Sequence, residues 1–163
     1  MSIEPGDRIP DATLNELSDG VQAVTTAELF DGRKVVLFAV PGAFTPTCSA
    51  KHLPGYVEKL DEFRARGVDV ACLSVNDAFV MGAWGRDQKT AGKVRMMADG
   101  SATFAQATGL TLDLIARGMG LRSNRYSMLV KDGVVKTLNV EAPGKFEVSD
   151  AKTLVEQAKA LKG

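Results

Sequence analysis

The sequence predicts an α/β fold, a mixed sheet with flanking helices, and three observations predict it. Val35-Val36-Leu37-Phe38-Ala39-Val40 is apolar at six successive positions, as in a strand covered on both faces. A second mainly apolar run, residues 68–75, follows a helical stretch, giving a strand–helix–strand unit that should be parallel and right-handed. Further on, residues 126–131 and 134–139 flank Asp132-Gly133, the favoured two-residue hairpin turn.

The elements follow in order. Two short strands near residues 12–14 and 22–24 precede a short helix at residues 26–30. Strand 34–40 stops at Pro41 and Gly42. Behind it a helix opens with Thr45 at the N-cap and Pro46 as first helical residue, where the missing N–H costs nothing. The helix leads into residues 53–66, where Leu53, Val57, Leu60 and Phe63 mark one face and Gly67 reads as a C-cap. Strand 68–75, a helix near 77–90, a strand at 94–98 and a helix at 101–108 come next, then the hairpin. The closing helix takes Ser149 as N-cap and aligns Ala151, Leu154, Val155, Ala158 and Leu161. Parallel units ending in an antiparallel hairpin and a helix describe a thioredoxin-like mixed sheet. With no linker, repeat or low-complexity stretch, residues 1–163 read as one domain.

Composition narrows the partners. Lysine plus arginine equals aspartate plus glutamate at 20 each, so no net field draws the chain to nucleic acid or anionic membrane, and neither partner is expected. Hydrophobic content of 45% with 25% charged residues is ordinary globular usage, so neither disulfide nor metal is needed for folding. The first residues carry no apolar signal core, no stretch approaches a membrane span, and a cytoplasmic location is expected.

The chemistry concentrates in Pro41-Gly42-Ala43-Phe44-Thr45-Pro46-Thr47-Cys48. Cys48 falls at the third helical position behind a buried strand, close to unpaired N–H groups and the positive end of the helix dipole, both of which favour thiolate over thiol. In an open α/β sheet the carboxyl ends of the strands form the natural site crevice. Arg125 precedes a strand expected to run antiparallel to the one that ends before Cys48, so it should reach the same edge.

These residues resemble a known family. Pro41-x-x-x-Thr45-x-x-Cys48 matches the peroxiredoxin signature, and Val40–Ser49 followed by His52-Leu53-Pro54-Gly55 is similar to the type II, or peroxiredoxin-5-like, subfamily. The likeness continues through residues 67–80, Trp84-Gly85-Arg86, Lys93-Val94-Arg95, Arg125-Tyr126-Ser127-Met128 and Asp132-Gly133. It implies a thiol-dependent peroxidase that reduces hydrogen peroxide and alkyl hydroperoxides. Cys48 would be the peroxidatic cysteine, which becomes a sulfenic acid. Thr45 would bond the sulfur and the incoming peroxide, Pro41 would shield the pocket from water, and Arg125 would stabilise thiolate and transition state. The likeness also implies a homodimer. Phe44, Phe79 and Trp84 read either as core or as a dimer patch beside the pocket.

Cys72 lies in an apolar strand and reads as a small core residue, not as a resolving thiol. Some relatives carry a resolving cysteine near the C-terminus; the corresponding residues 145–151 here hold Ser149 and no cysteine. The likeness therefore implies a one-cysteine mechanism completed by an external thiol, glutathione with or without glutaredoxin before thioredoxin. Without fast resolution Cys48 should climb to sulfinic acid under excess peroxide.

Two alternatives use the same thiol: a glutathione-dependent thiol transferase, and a redox sensor or chaperone-like protein without rapid turnover. His52, the single histidine, stands four residues from Cys48, but no hydrolase motif surrounds the pair, so it is not expected to act as a general base. No Cys-x-x-Cys, ligand-spaced metal pair or phosphate loop is present, and no metal or cofactor is expected.

Overall fold

The structure is a computed structural model that describes residues 2–90 and 93–161. Its elements are β1 (Thr13–Leu17), β2 (Val21–Thr25), α1 (Thr26–Phe30), β3 (Lys34–Val40), a π-helical turn (Cys48–His52), α2 (Leu53–Glu58), α3 (Leu60–Arg64), β4 (Val68–Ser74), α4 (Ala78–Asp87) and β5 (Arg95–Ala98). There follow α5 (Thr103–Thr108), β6 (Thr111–Leu114), a 3-10 turn (Ile115–Arg117), β7 (Gly120–Ser123), β8 (Tyr126–Lys131), β9 (Val134–Val140) and α6 (Ala151–Ala160).

Seven strands form one mixed sheet in the order β2-β1-β5-β4-β3-β8-β9. β3 lies inside the sheet, next to its central strand β4, to which it is parallel, and antiparallel to β8 on its other side. Its unbroken apolar run is explained by alternation across two cores. Val36, Phe38 and Val40 face Leu53, Tyr56, Phe63, Trp84 and Leu154 on one side. Val35, Leu37 and Ala39 face Leu29, Phe30 and Phe104 on the other. A strand with both faces buried has no room for the polar half of the usual period.

Several expectations shift. The long helix after Cys48 is broken at Lys59, whose backbone (φ −96°, ψ 6°) leaves the helical region and divides α2 from α3. The closing helix is capped by Asp150, whose carboxylate accepts from the Thr153 N–H at 3.3 Å. Ser149 is one residue too early, and its hydroxyl is engaged by Glu141 at 2.7 Å. The chain from 111 to 123 forms a separate two-stranded sheet, β6 with β7, that the sequence reading did not anticipate. The hairpin turn does hold left-handed backbone at both central residues, Asp132 (φ 48°) and Gly133 (φ 76°), which matches strand twist.

Candidate active site

Cys48 sits where β3 delivers the chain to the helix. The helix begins at Pro46, so Cys48 is its third residue. Thr45 takes the cap position through its backbone: its carbonyl accepts from the Ser49 N–H at 2.9 Å. Its side chain does not cap, because the hydroxyl donates to the Gly42 carbonyl at 2.7 Å. The Asn76 side chain, beyond the end of β4, accepts from the Ala43 N–H at 3.0 Å and ties the loop before Cys48 to the sheet. Cys48 itself is fully buried.

Arg125 closes the site from β8. Because Ala39 pairs with Tyr126 in the antiparallel register, Arg125 stands level with the end of β3. Its Nη2 donates to Cys48 Sγ at 3.0 Å, and its Nη1 reaches His52 Nδ1 at 2.8 Å. Arg122, three residues earlier, turns the other way. Its Nε and Nη1 donate to the carbonyls of Met119 and Pro41 at 2.7 and 3.3 Å, so β7 braces the loop that carries Pro41.

His52 is drawn into the same network. Its Nε2 faces the Ser149 carbonyl at 3.0 Å, and a carbonyl only accepts. The proton is therefore assigned to Nε2, leaving Nδ1 to accept from Arg125. Burial, reinforced by the adjacent guanidinium, pushes the ring pKa down to about 3, so His52 is neutral under ordinary conditions. It has no proton-accepting contact with the thiol. Its spacing of four residues from Cys48 marks His52 in the sequence, whereas its bond to Arg125 carries no sequence signal.

Cys72 lies in β4 opposite Phe38, fully buried. Burial first, then proximity to Cys48, pushes its thiol pKa well up, which favours the unreactive protonated form. Trp84 is also fully buried and donates to Ser49 Oγ at 3.0 Å, so it belongs to the core. Phe44 and Phe79 are 52% and 64% exposed.

A cleft of about 320 Å³ opens beside Arg125, lined by Pro41, Thr47, Lys51, Lys145 and Phe146 among others. Among the described residues no group of three or more His, Cys, Asp or Glu side chains could hold a metal ion.

Comparison with known proteins finds relatives along nearly the whole chain. The Redoxin family model matches residues 4–155. Peroxiredoxin-2E, chloroplastic, of Arabidopsis thaliana is 49% identical over 161 residues, covering 95% of this chain and 69% of that protein. The crystal structure of reduced Prx3 in complex with H2O2 from Vibrio vulnificus superimposes with a TM-score of 0.91 at 54% identity, covering 96% of this chain and 99% of that one. Peroxiredoxin 5 from Alvinella pompejana superimposes with a TM-score of 0.87 at 34% identity, covering 98% and 99%.

Proposed function

The chain belongs to the Redoxin family, as a peroxiredoxin of thioredoxin-like fold and so a thiol peroxidase, and we propose that it works through Cys48 in a one-cysteine cycle resolved by glutathione. The observation that carries this reading is the 3.0 Å hydrogen bond from Arg125 to the sulfur at the start of a helix.

In the first step the Cys48 thiolate attacks the terminal oxygen of a hydroperoxide. An S–O bond forms, the O–O bond breaks, and the departing alkoxide or hydroxide takes up a proton. Negative charge moves from sulfur to the leaving oxygen, and a guanidinium fixed beside the sulfur stabilises that charge without having to reorganise. Thr45 supports the step from the other side. Its hydroxyl proton is held by the Gly42 carbonyl, which leaves the oxygen lone pairs to accept the proton end of the peroxide. Pro41 walls the cleft and limits water.

In the second step an external thiol attacks the sulfenic acid, forming a mixed disulfide and releasing water; a second thiol regenerates Cys48 and leaves as a disulfide. Cys72 is a poor resolving thiol, being fully buried and held protonated. Glutathione carries two carboxylates, and the cleft beside Arg125 presents Lys51 and Lys145, neither of which makes an ion pair among the described residues. With Arg125 these cations outnumber the one carboxylate of the lining, that of Glu141, and this charge balance favours an anionic thiol. Such a reductant fits a reducing compartment such as the cytoplasm. The exposed rings of Phe44 and Phe79 are the proposed dimer patch.

The test is peroxide consumption coupled to oxidised glutathione, with and without glutaredoxin. One glutathione disulfide per peroxide is expected for the wild type and for Cys72→Ala, and none for Cys48→Ser. Turnover with thioredoxin alone, or loss of turnover in Cys72→Ala, would overturn the one-cysteine, glutathione-linked cycle. A thiol transferase would reduce a mixed disulfide without consuming peroxide, and a sensor would oxidise once and stop.

A further inference from the structure

Glu141 follows β9 and is only 6% exposed, a position where a carboxylate is rarely found without a cation. No arginine, lysine or histidine forms an ion pair with it among the described residues. Its two oxygens instead collect the backbone N–H groups of Glu147 at 2.9 Å, Val148 at 2.8 Å and Ser149 at 2.8 Å, together with the Ser149 hydroxyl at 2.7 Å. Burial acts to raise the carboxyl pKa, but the hydrogen bonds from Glu147, Ser149 and Val148 outweigh it and hold the group ionised. The backbone N–H of the same residue donates to the Arg125 carbonyl at 2.9 Å.

One residue is thus bonded by its main chain to Arg125 and by its side chain to the segment ending at Ser149. The Ser149 carbonyl so placed accepts from His52 Nε2 at 3.0 Å and from the Tyr56 hydroxyl at 2.8 Å. The path closes on itself: Glu141, Ser149, His52, Arg125 and back to Glu141, with Cys48 bonded to Arg125.

We propose that Glu141 is a positioning residue for the peroxidase reaction: by fixing the Ser149 carbonyl relative to Arg125 it sets the tautomer of His52, and through that ring the direction in which Arg125 presents a donor to Cys48. The inference rests on Cys48 and Arg125 being the reacting pair. Its physical content is a choice between two tautomers. With the carbonyl in place, Nε2 carries the proton and Nδ1 offers a lone pair to the guanidinium. Without it, the Nε2 proton is left unpaired in a buried site, and the alternative tautomer becomes competitive. That tautomer points an N–H at the guanidinium, donor against donor, and turns Arg125 away from the sulfur. A misplacement of about 1 Å near reacting atoms can slow a reaction roughly a hundredfold.

Glu141→Gln tests this, because the amide keeps the shape of the side chain yet turns an NH2 toward N–H donors. The chain has one histidine and one tryptophan, so ring nitrogen NMR reports His52 alone and fluorescence reports Trp84 alone. The wild type should show the Nε2–H tautomer, and Glu141→Gln a mixture. Oxidation by hydrogen peroxide in stopped flow should slow about ten- to a hundredfold in the variant. With His52→Gln as second variant, the double change should be no slower than the slower single one, because both break one path. An Nδ1–H tautomer in the wild type overturns the proposal without any variant. So does an Nε2–H ring in Glu141→Gln with oxidation within twofold of wild type, or multiplicative effects in the cycle. Failure of the underlying reading looks different: Arg125→Ala would then oxidise as fast as the wild type.

Discussion

The lone histidine makes the stability of this protein depend on pH in a window that no other side chain type normally occupies. His52 titrates near 6.5 in an unfolded chain and near 3 in the native one. Because the native value is the lower, the unfolded state takes up the proton first as pH falls. Stability is therefore full above about pH 7, declines below 6.5, and stops declining near 3. At about 1.4 kcal/mol per unit, the loss between pH 7 and pH 5 is about 2 kcal/mol. In urea, where the slope for small proteins is about 1–3 kcal/mol/M, the midpoint should drop by about 1 M. The assay is urea unfolding followed by Trp84 fluorescence at pH 7 and pH 5, at fixed protein concentration. Glu141 does not obscure the window: its carboxyl pKa lies below the usual value, so its contribution is present throughout and is lost only at lower pH. His52→Gln provides the control, since an amide offers a donor and an acceptor at similar reach and does not titrate. A midpoint that stays constant from pH 7 to pH 5, or a decline that persists in His52→Gln, would refute the assignment of a buried neutral ring.

Two further outcomes follow from the site. Arg125→Ala should slow oxidation of Cys48 by hydrogen peroxide about 10²–10³-fold, the usual effect of removing one donor to developing charge, while fluorescence-detected unfolding stays two-state. Phe79→Glu puts a charge in the middle of the proposed dimer patch and should shift sedimentation from dimer to monomer at micromolar concentration, whereas an unchanged species would assign Phe79 to an open surface.

Why some of this was legible in the sequence and some was not is a matter of range. The β3 run could be read because burial on both faces removes the polar period altogether. Asp132-Gly133 could be read because left-handed backbone at two successive residues leaves few choices of residue. Cys48 and Arg125 could be brought to one sheet edge from strand direction alone. What escaped was set by contacts distant in sequence. Ser149 and Asp150 are both good cap residues, and the choice falls to Asp150 because Glu141, eight positions back, holds the Ser149 hydroxyl. The β6–β7 pair escaped because two four-residue strands separated by residues 115–119 show no sustained alternation. Trp84 could be read either as core or as part of a dimer patch, and the choice falls to the core because α4 turns it inward with Met81.

Pro54 shows how a local rule can reach the chemistry. It lies inside the helical run from Pro46 to Glu58, has no N–H to give, and its ring would crowd the carbonyl of Ala50 one turn earlier. The turn immediately before it, Cys48–His52, is π-helical, with the Leu53 N–H donating to the Cys48 carbonyl five residues back. A π-bulge of this kind relieves the crowding by widening one turn. The widening changes what Cys48 and His52 can share. In a regular α-helix, at 3.6 residues per turn, four positions overshoot a full circle by about 40°, so the two side chains diverge. Closing the hydrogen bond one residue later reduces the rotation per residue and so removes that overshoot. One guanidinium can then meet both, Nη2 on Sγ at 3.0 Å and Nη1 on Nδ1 at 2.8 Å. A proline six residues beyond the thiol thus helps decide which way the thiol and its histidine point, and the histidine in turn fixes the arginine.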